Sequence, residues 1–294
     1  MEGGGRLRAK TKRSLAATAF SLVIIVGTWV QAAAEWETGA RLGFDSNVDR
    51  AIEGGRSDSW LSAYLSFFRE PGGESRTDWT LSATMEGSAF ARFHDLDCIL
   101  LTAAPGVNFI LHRTWTIQAS PFIQIKGVKD EDQSCWTLGG RLSMKEEITK
   151  NLYAGQYYIY RNSEAQEDVY SFTENALGAY LGMNWTRTFF TEIGYEYSHG
   201  DSFQAIGVTS TAPSSGLGRT LSTGRGRGRE VAFSPAFERV IVKEKVDRHS
   251  IGISAGIDWT RSLFSLASYA YTTMEGDLGT SSSHAGFIGL GYRF

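Results

Sequence analysis

The sequence predicts an all-β fold, a transmembrane, antiparallel up-and-down β-barrel of about 12 strands that follows a cleaved signal peptide. Three observations predict it. Apolar and polar residues alternate along most of the chain, the last residue is aromatic, and one long apolar run lies near the N-terminus. A helical membrane protein would need several runs of roughly 20 apolar residues. The mean hydropathy of −0.21 argues against that class.

Residues 1–34 have the features of a secretory signal peptide. A basic segment precedes an apolar stretch over 15–30, and Ala32 to Ala34 supply a small-residue cleavage site. An uncleaved anchor helix is the alternative interpretation. Cleavage removes five basic residues and one acidic residue, so the mature chain is more acidic than the whole chain, whose net charge is −3.

The first predicted strand shows the alternation. Trp36, Ala40 and Leu42 fall on one face, with Glu37 and Arg41 on the other. Many such segments exceed the mean length of soluble strands and match the roughly 9–11 residues that cross a bilayer at a tilt. The same pattern predicts twelve strands, near residues 36–46, 57–70, 75–92, 98–111, 114–127, 134–148, 151–162, 168–185, 187–199, 246–259, 262–274 and 283–294.

Short and long connections alternate between these strands. Tight turns at 112–113, 149–150 and 260–261 alternate with longer polar loops such as 47–56 and 200–245. A soluble β-sandwich also has alternating strands, but it does not require this asymmetry of connections, whereas outer-membrane barrels place turns in the periplasm and loops outside. We interpret residues 35–294 as one barrel with a long extracellular loop at 200–245, which contains alternating Gly and Arg. Strand-like stretches within that loop leave fourteen strands as an alternative.

The C-terminal segment carries the most specific signal. Leu290, Tyr292 and Phe294 share one face of the last predicted strand. This arrangement resembles the C-terminal signal that the barrel assembly machinery recognises in outer-membrane proteins. The resemblance implies a location in the outer membrane of a Gram-negative bacterium. It also implies that the assembly machinery and outer-membrane lipid are partners. The alternating Gly and Arg at 224–229 form a cationic segment suited to the phosphates of lipopolysaccharide, which we expect as a further partner.

A second resemblance lies at the first loop. Residues 43–50 read Gly-Phe-Asp-Ser-Asn-Val-Asp-Arg and are followed by Gly54, Gly55 and Asp58. The segment resembles the opening strand and loop of porin-like β-barrels associated with exopolysaccharide export. It covers only the first strands, and it indicates no substrate.

Charged residues on the polar face of the strands predict the lining of the lumen. Arg41, Glu86, Arg141, Glu192 and Glu196 are predicted to face water at middle depth. A barrel of this size can hold a narrow aqueous channel, so the predicted function is passive passage of small hydrophilic solutes. An excess of acidic residues on the inner face favours cations. The predicted inner face holds Glu37, Asp45, Asp78, Glu86, Glu147, Glu174, Glu192, Glu196 and Asp258 against Arg41, Lys126, Arg141, Lys145 and Arg293.

Other functions stay open at this point. The barrel is alternatively an outer-membrane component of surface polysaccharide export, or a structural barrel. A hydrolase at the outer rim is the third alternative, because His94, His199, His249 and His284 map near aspartates at the extracellular end. The chain has no metal-ligand spacing and no evident catalytic pair. We therefore expect no enzymatic activity, no metal and no cofactor, and the negative net charge argues against nucleic acid as a partner.

Cys98 and Cys135 are the two cysteines of the chain and lie near the extracellular ends of the fourth and sixth predicted strands. Export to an oxidising compartment favours a disulfide between them. Strands two apart are separated by roughly 9–10 Å, whereas the Cα atoms of bonded cysteines lie within about 7 Å. The predicted disulfide therefore requires the loops to bend toward each other.

Overall fold

A computed structural model describes residues 34–69, 75–206 and 230–294. The predicted signal peptide lies outside this part of the chain, except for Ala34, at which the first strand begins. The strands are β1 (Ala34–Asp45), β2 (Asp58–Arg69), β3 (Thr77–Phe90), β4 (Cys98–His112), β5 (Trp115–Val128), β6 (Cys135–Glu147), β7 (Leu152–Ala165), β8 (Phe172–Asn184), β9 (Phe189–Ile206), β10 (Val231–Ser234), β11 (Arg239–Asp258), β12 (Leu263–Gly276) and β13 (Gly279–Arg293). Three short 3₁₀ turns lie at His94–Leu96, Glu131–Gln133 and Asp168–Tyr170.

The sheet closes on itself. Each long strand pairs antiparallel with its neighbours, β13 pairs with β1, and β11 pairs with both β9 and β12. The wall therefore has twelve strands, as predicted. The short strand β10 pairs only with the first four residues of β11 and lies outside the wall.

The fourteen-stranded alternative is wrong for the part of the chain that the structure describes. Residues 201–206 lengthen β9, and residues 239–245 lengthen β11, so the two strands continue as a paired hairpin beyond their neighbours. The described part of the strand-like pattern is β-structure. It belongs to existing strands because nothing in the wall separates β9 from β11.

The two faces of the wall differ in the way that a bilayer requires. Leu177, Ile288 and Leu290 are exposed over about 60% of their surfaces on the outer face. Exposed Trp36, Trp79, Trp185 and Trp259 mark the outer face at one end, and Trp136, Tyr160, Tyr195, Tyr269 and Tyr271 mark it toward the other. Among the residues described, no helix is long and apolar enough to cross a membrane.

The two ends of the barrel are unlike. The turn end carries the short connections and both ends of the described chain, where the Phe294 backbone N–H donates to the Trp36 carbonyl at 2.9 Å. The loop end carries loop 1 (46–57), loop 2 (91–97), loop 3 (129–134), loop 4 (166–171), loop 5 (207–238) and loop 6 (277–278). Residues 207–229 of loop 5, including the Gly-Arg repeat, lie outside the described residues.

A cation placed on the outer face is expected to prevent accumulation of the folded barrel. Leu290→Lys sets an ammonium group against lipid, at a cost of about 2–4 kcal/mol near the membrane centre. The control is Thr102→Lys, because Thr102 lies on the inner face and accepts a hydrogen bond from Gln124. Gel electrophoresis of outer-membrane fractions with and without heating measures the amount of folded barrel. It should show folded Thr102 variant and little folded Leu290 variant. Equal amounts of both folded variants would contradict this assignment of faces.

Candidate functional site: the lumen and its cap

One side of the lumen at middle depth is formed by Arg41, Tyr64 and Glu86, from β1, β2 and β3. The Arg41 guanidinium pairs with the Glu86 carboxylate at 3.3 Å and lies 4.4 Å from the centroid of the Tyr64 ring. Tyr64 lies over Gly39, where a Cβ atom would collide with the ring. The glycine therefore lets a large phenol lie flat along the wall beneath the ion pair.

A second group faces the lumen from β7, β8 and β9. The Tyr157 hydroxyl donates to Glu196 at 2.8 Å, and Tyr153 donates to Glu192 at 3.2 Å. Each tyrosine crosses β8 at a glycine, since Tyr157 is opposite Gly178 and Gly178 is opposite Glu196. A side chain at that glycine would occupy the position of the phenol ring. The repeated Tyr-Gly-Glu register thus holds two carboxylates at fixed positions.

These carboxylates line a recess with small side chains. Glu192 and Glu196 share it with Ser250, Ser254 and Ser268, and its volume is about 250 Å³. Serine and glycine on β9, β11 and β12 leave this part of the lumen open. The recess is acidic and can attract cations.

Arg141 lies on the inner face of β6, with its guanidinium 4.8 Å from the centroid of the Tyr157 ring. Within the described ranges it forms no ion pair. All five residues predicted to line the pore thus lie on the inner face of the structure, with Glu192 nearer the turn end than the other four. Arg41 and Glu86 form an ion pair, whereas Arg141, Glu192 and Glu196 form none within the described residues.

Ion pairs also neutralise charges at the turn end. Arg293 contacts Asp258 at 3.0 Å and Glu37 at 3.6 Å, and the Tyr64 hydroxyl donates to Glu37 at 2.7 Å. Several of the acidic residues counted from the sequence therefore contribute little free charge to the lumen.

Two inward-facing arginines escaped the sequence prediction. Arg161 on β7 pairs with Glu174 at 3.2 Å, and Arg248 on β11 pairs with the same carboxylate. The alternation along the strands could have predicted them. Arg161 lies on the same face of β7 as Tyr157, and Arg248 lies on the same face of β11 as Ser250. Adding them brings the inner face from five basic residues to seven, so the predicted bias toward cations is too strong as a statement about the whole lumen.

An apolar cluster closes over the loop end. Phe237 of loop 5 is 1% exposed, and its ring centroid lies 6.0 Å from that of Phe93 in loop 2 and 6.1 Å from that of Phe203 on β9. Tyr170 of loop 4 packs on Phe203 at 5.3 Å. Loops 2 and 5 are on opposite sides of the ring of strands. Contacts between them therefore span the mouth, and we call this packed layer the cap.

Loop 1 fastens the cap to the barrel. Asp49, which is fully buried, pairs with Arg239 of β11 at 3.2 Å, and Arg56 donates to the Phe237 carbonyl at 2.9 Å. Arg50 donates to the Ser202 hydroxyl at 2.9 Å. Burial lowers the pKa of Arg50, while the nearby charge on Asp45 opposes that shift. The segment 43–50, which resembles porin-like barrels, thus supplies two of these three polar contacts, through Asp49 and Arg50.

The predicted cluster of histidines and aspartates at the outer rim is only partly assembled. His199 contacts Asp247 at 2.9 Å, and the Tyr197 hydroxyl donates to the same carboxylate at 2.6 Å. Both His199 and Asp247 have the parity of the lipid-facing side chains, so the pair points away from the lumen. Over the described part of the chain, no group of three His, Cys, Asp or Glu residues is placed to hold a metal ion.

Comparison with known proteins supports the fold and leaves the function open. No family model matches the chain, and no curated protein matches it. Among solved structures, an outer-membrane channel from Pseudomonas putida F1 is similar, with a TM-score of 0.57 and 6% identity over 90% of this chain and 97% of that one. The NanC porin is similar with a TM-score of 0.50 and 10% identity, over 87% and 98% of the two chains. The chain therefore has the fold of outer-membrane β-barrel channels, and its apolar exterior fits it to the outer membrane.

Both cysteines are free thiols in the structure, so the predicted disulfide is not formed there. Cys98 is opposite Val128, and Cys135 is opposite Lys126, which places the whole of β5 between them. Loops 2 and 3 do approach each other, since the Lys129 backbone N–H donates to the Asp97 carbonyl at 2.9 Å. That contact is made beyond the strand ends and does not bring the two thiols together.

Two reactive thiols are expected per molecule of mature protein. Denaturation without reductant and reaction with a maleimide should add two labels by intact mass, because a third strand separates the cysteines. The single variants Cys98→Ser and Cys135→Ser serve as controls and should each take one label. An unlabelled wild-type chain that takes two labels only after reduction would establish the disulfide instead.

Proposed function

We propose that the protein is a porin-like channel for passive passage of small hydrophilic solutes across the outer membrane. The observation that carries the proposal is the contrast between the two faces of the closed wall. Ionised and hydroxyl side chains line the lumen at middle depth, while the outer face is apolar. A barrel of about 12 strands can hold a narrow aqueous channel, and polar side chains along it favour passage of hydrophilic solutes.

The arrangement of the strands is compatible with such a path. Of the described strands, all except β10 belong to the wall, and β10 lies at the loop end. Arg41 and Arg141 stand on β1 and β6, with the acidic recess on β9, β11 and β12. A solute at middle depth would meet charges of both signs, so the proposal favours polar solutes without specifying their charge at this depth.

Conductance of the refolded mature chain, residues 35–294, is the direct test. We expect discrete conductance steps in planar lipid bilayers at neutral pH. A folded barrel that conducts no ions, either as wild type or after the cap is loosened, would contradict a channel. That result would favour the structural-barrel or export-component alternatives.

Removing the two recess charges should reduce cation preference. In Glu192→Gln/Glu196→Gln the tyrosine hydroxyls can still donate to the amide carbonyls, so the wall is expected to stay folded. The reversal potential in a KCl gradient should move toward the value of an anion-selective channel, because lumen side chains set the local potential. The control is Glu131→Gln/Glu167→Gln, which removes the same charge from exposed positions in loops 3 and 4. Equal reversal potentials for both double variants would contradict a role for the recess.

Loosening the cap should raise conductance. Phe237→Ala removes the ring that joins loops 2 and 5, and truncation of a buried phenylalanine costs about 3–5 kcal/mol of packing. We expect single-channel openings of larger conductance or longer duration. Heat-modifiable mobility in gel electrophoresis should be retained, because the variant leaves the wall unchanged. Phe233→Ala on β10 is the control, since Phe233 is 47% exposed in the same loop. Unchanged openings in the Phe237 variant would show that the cap does not limit passage.

A further inference from the structure

Two arginines pair with one carboxylate at the loop end of the lumen, and a third arginine lies near them. Arg161 and Arg248 both pair with Glu174, whose side chain is 9% exposed. Arg248 donates to the Ser198 hydroxyl at 3.0 Å, and Arg50 donates at 2.9 Å to Ser202, four residues further along the same face of β9, which places the three cations in one neighbourhood. One carboxylate cannot compensate three buried or half-buried guanidinium groups.

Arg50 has no carboxylate of its own to pair with in the described structure. Its guanidinium donates to Ser202 at 2.9 Å and lies 4.6 Å from the centroid of the Phe203 ring. Asp45 acts on it electrostatically. That carboxylate, however, already accepts hydrogen bonds from the Ser283 hydroxyl at 2.6 Å and the Asn47 backbone N–H at 2.8 Å.

The segment that connects β9 to β10 does not supply the missing negative charge. Residues 207–229 contain four arginines and no acidic residue. Even when Asp45 is counted with Glu174, three cations face two anions. Leaving an uncompensated cation in a partly buried site is unfavourable, and an anion from solution would relieve it.

Arg161 and Arg248 are accessible from the lumen. Arg161 and Arg248 keep 33% and 22% of their side chains exposed, and Arg161 has guanidinium donors beyond the one that contacts Glu174. A further polar group lies above them on the same face of β9. Gln204 is fully buried, and both of its amide atoms lack a hydrogen-bond partner within the described residues.

We propose that Arg50, Arg161 and Arg248 form a binding site, beneath the cap, for the carboxylate or phosphate group of an anionic solute. The planar guanidinium group binds both kinds of anion through paired hydrogen bonds. Glu174 competes with the solute for Arg161 and Arg248 and holds their side chains in place when the site is empty. This inference rests on the proposed channel function, since the solute reaches the site through the lumen.

Inorganic phosphate and acetate serve as probes, with glucose as a neutral control. Isothermal titration calorimetry of the detergent-solubilised mature protein measures binding, and block of single-channel conductance measures the same site during passage. We expect at least one of the two anions to bind and glucose not to bind. The anion that binds more tightly identifies phosphate or carboxylate as the preferred group. Failure of both anions to bind would overturn the proposal.

Three single variants should change the affinity for the anion in opposite directions. Arg161→Gln and Arg248→Gln should each weaken anion binding by about tenfold or more, because each removes a charge-assisted contact. Glu174→Gln should tighten binding several-fold, since it removes the competing carboxylate. Lys145→Gln is the control for lost positive charge, as Lys145 faces the lumen near the turn end, over the Tyr153 ring. A merely structural role would make all three loop-end variants equally weak, and that outcome would overturn the site.

The two readouts separate this inference from the channel proposal. Calorimetry does not depend on conduction, so anion binding without conductance would retain the site and reject the channel. Conductance that is insensitive to both anions, together with no heat of binding, would retain the channel and reject the site. Heat-modifiable mobility of each variant confirms that a loss of binding is not a loss of folding.

Discussion

Closure of the sheet is the constraint on which the rest of the structure depends. Lipid offers no hydrogen bonds, so each backbone N–H and C=O in the wall must pair with a neighbouring strand, and a free edge is excluded. The pairing of β13 with β1, from Glu37 opposite Arg293 to Asp45 opposite Ala285, removes the last two edges. Once closed, the wall has only two faces, and the period of two assigns every side chain to lipid or to the lumen.

The chemistry of the lumen follows from that division and from the pairing of tyrosine with glycine. Glycine on β8 leaves a gap in the inner face, and the rings of Tyr153 and Tyr157 fill it on the way to carboxylates of β9. Glycine at position 39 does the same for Tyr64. The high glycine and aromatic content of the chain is therefore more than a requirement for strands. It fixes the positions of ionised groups on the inner face of the wall.

The alternation of apolar and polar residues predicts which face of the wall each side chain occupies, but it does not predict contacts between distant loops. Arg41, Glu86 and Glu196 face the lumen because parity is set strand by strand, and Arg161 and Arg248 were recoverable by the same rule. The cap was not recoverable, since the contact of Asp49 with Arg239 joins residues that are far apart in the chain and follows no period. The predicted disulfide between Cys98 and Cys135 is not formed in the structure. Export to an oxidising compartment favours such a bond, but the strand register keeps β5 between the two thiols.

The cap and the wall are separable in energetic terms, which is why a closed mouth is compatible with a channel. The wall is held by the backbone ladders of its twelve strands, to which loop 1 adds only local contacts such as the bridge between Ala51 and Ala205. The cap is held by a small apolar cluster and by ion pairs at strand ends, where local opening costs less than unfolding of the sheet. Loop 1 contributes to both regions, as Asp49 holds the cap and Arg50 adds its charge to the cluster at Glu174. An anion at that cluster would bind next to the segment that fastens the cap. It would shift the equilibrium between the closed and the open cap only if it bound one of these two conformations more tightly than the other.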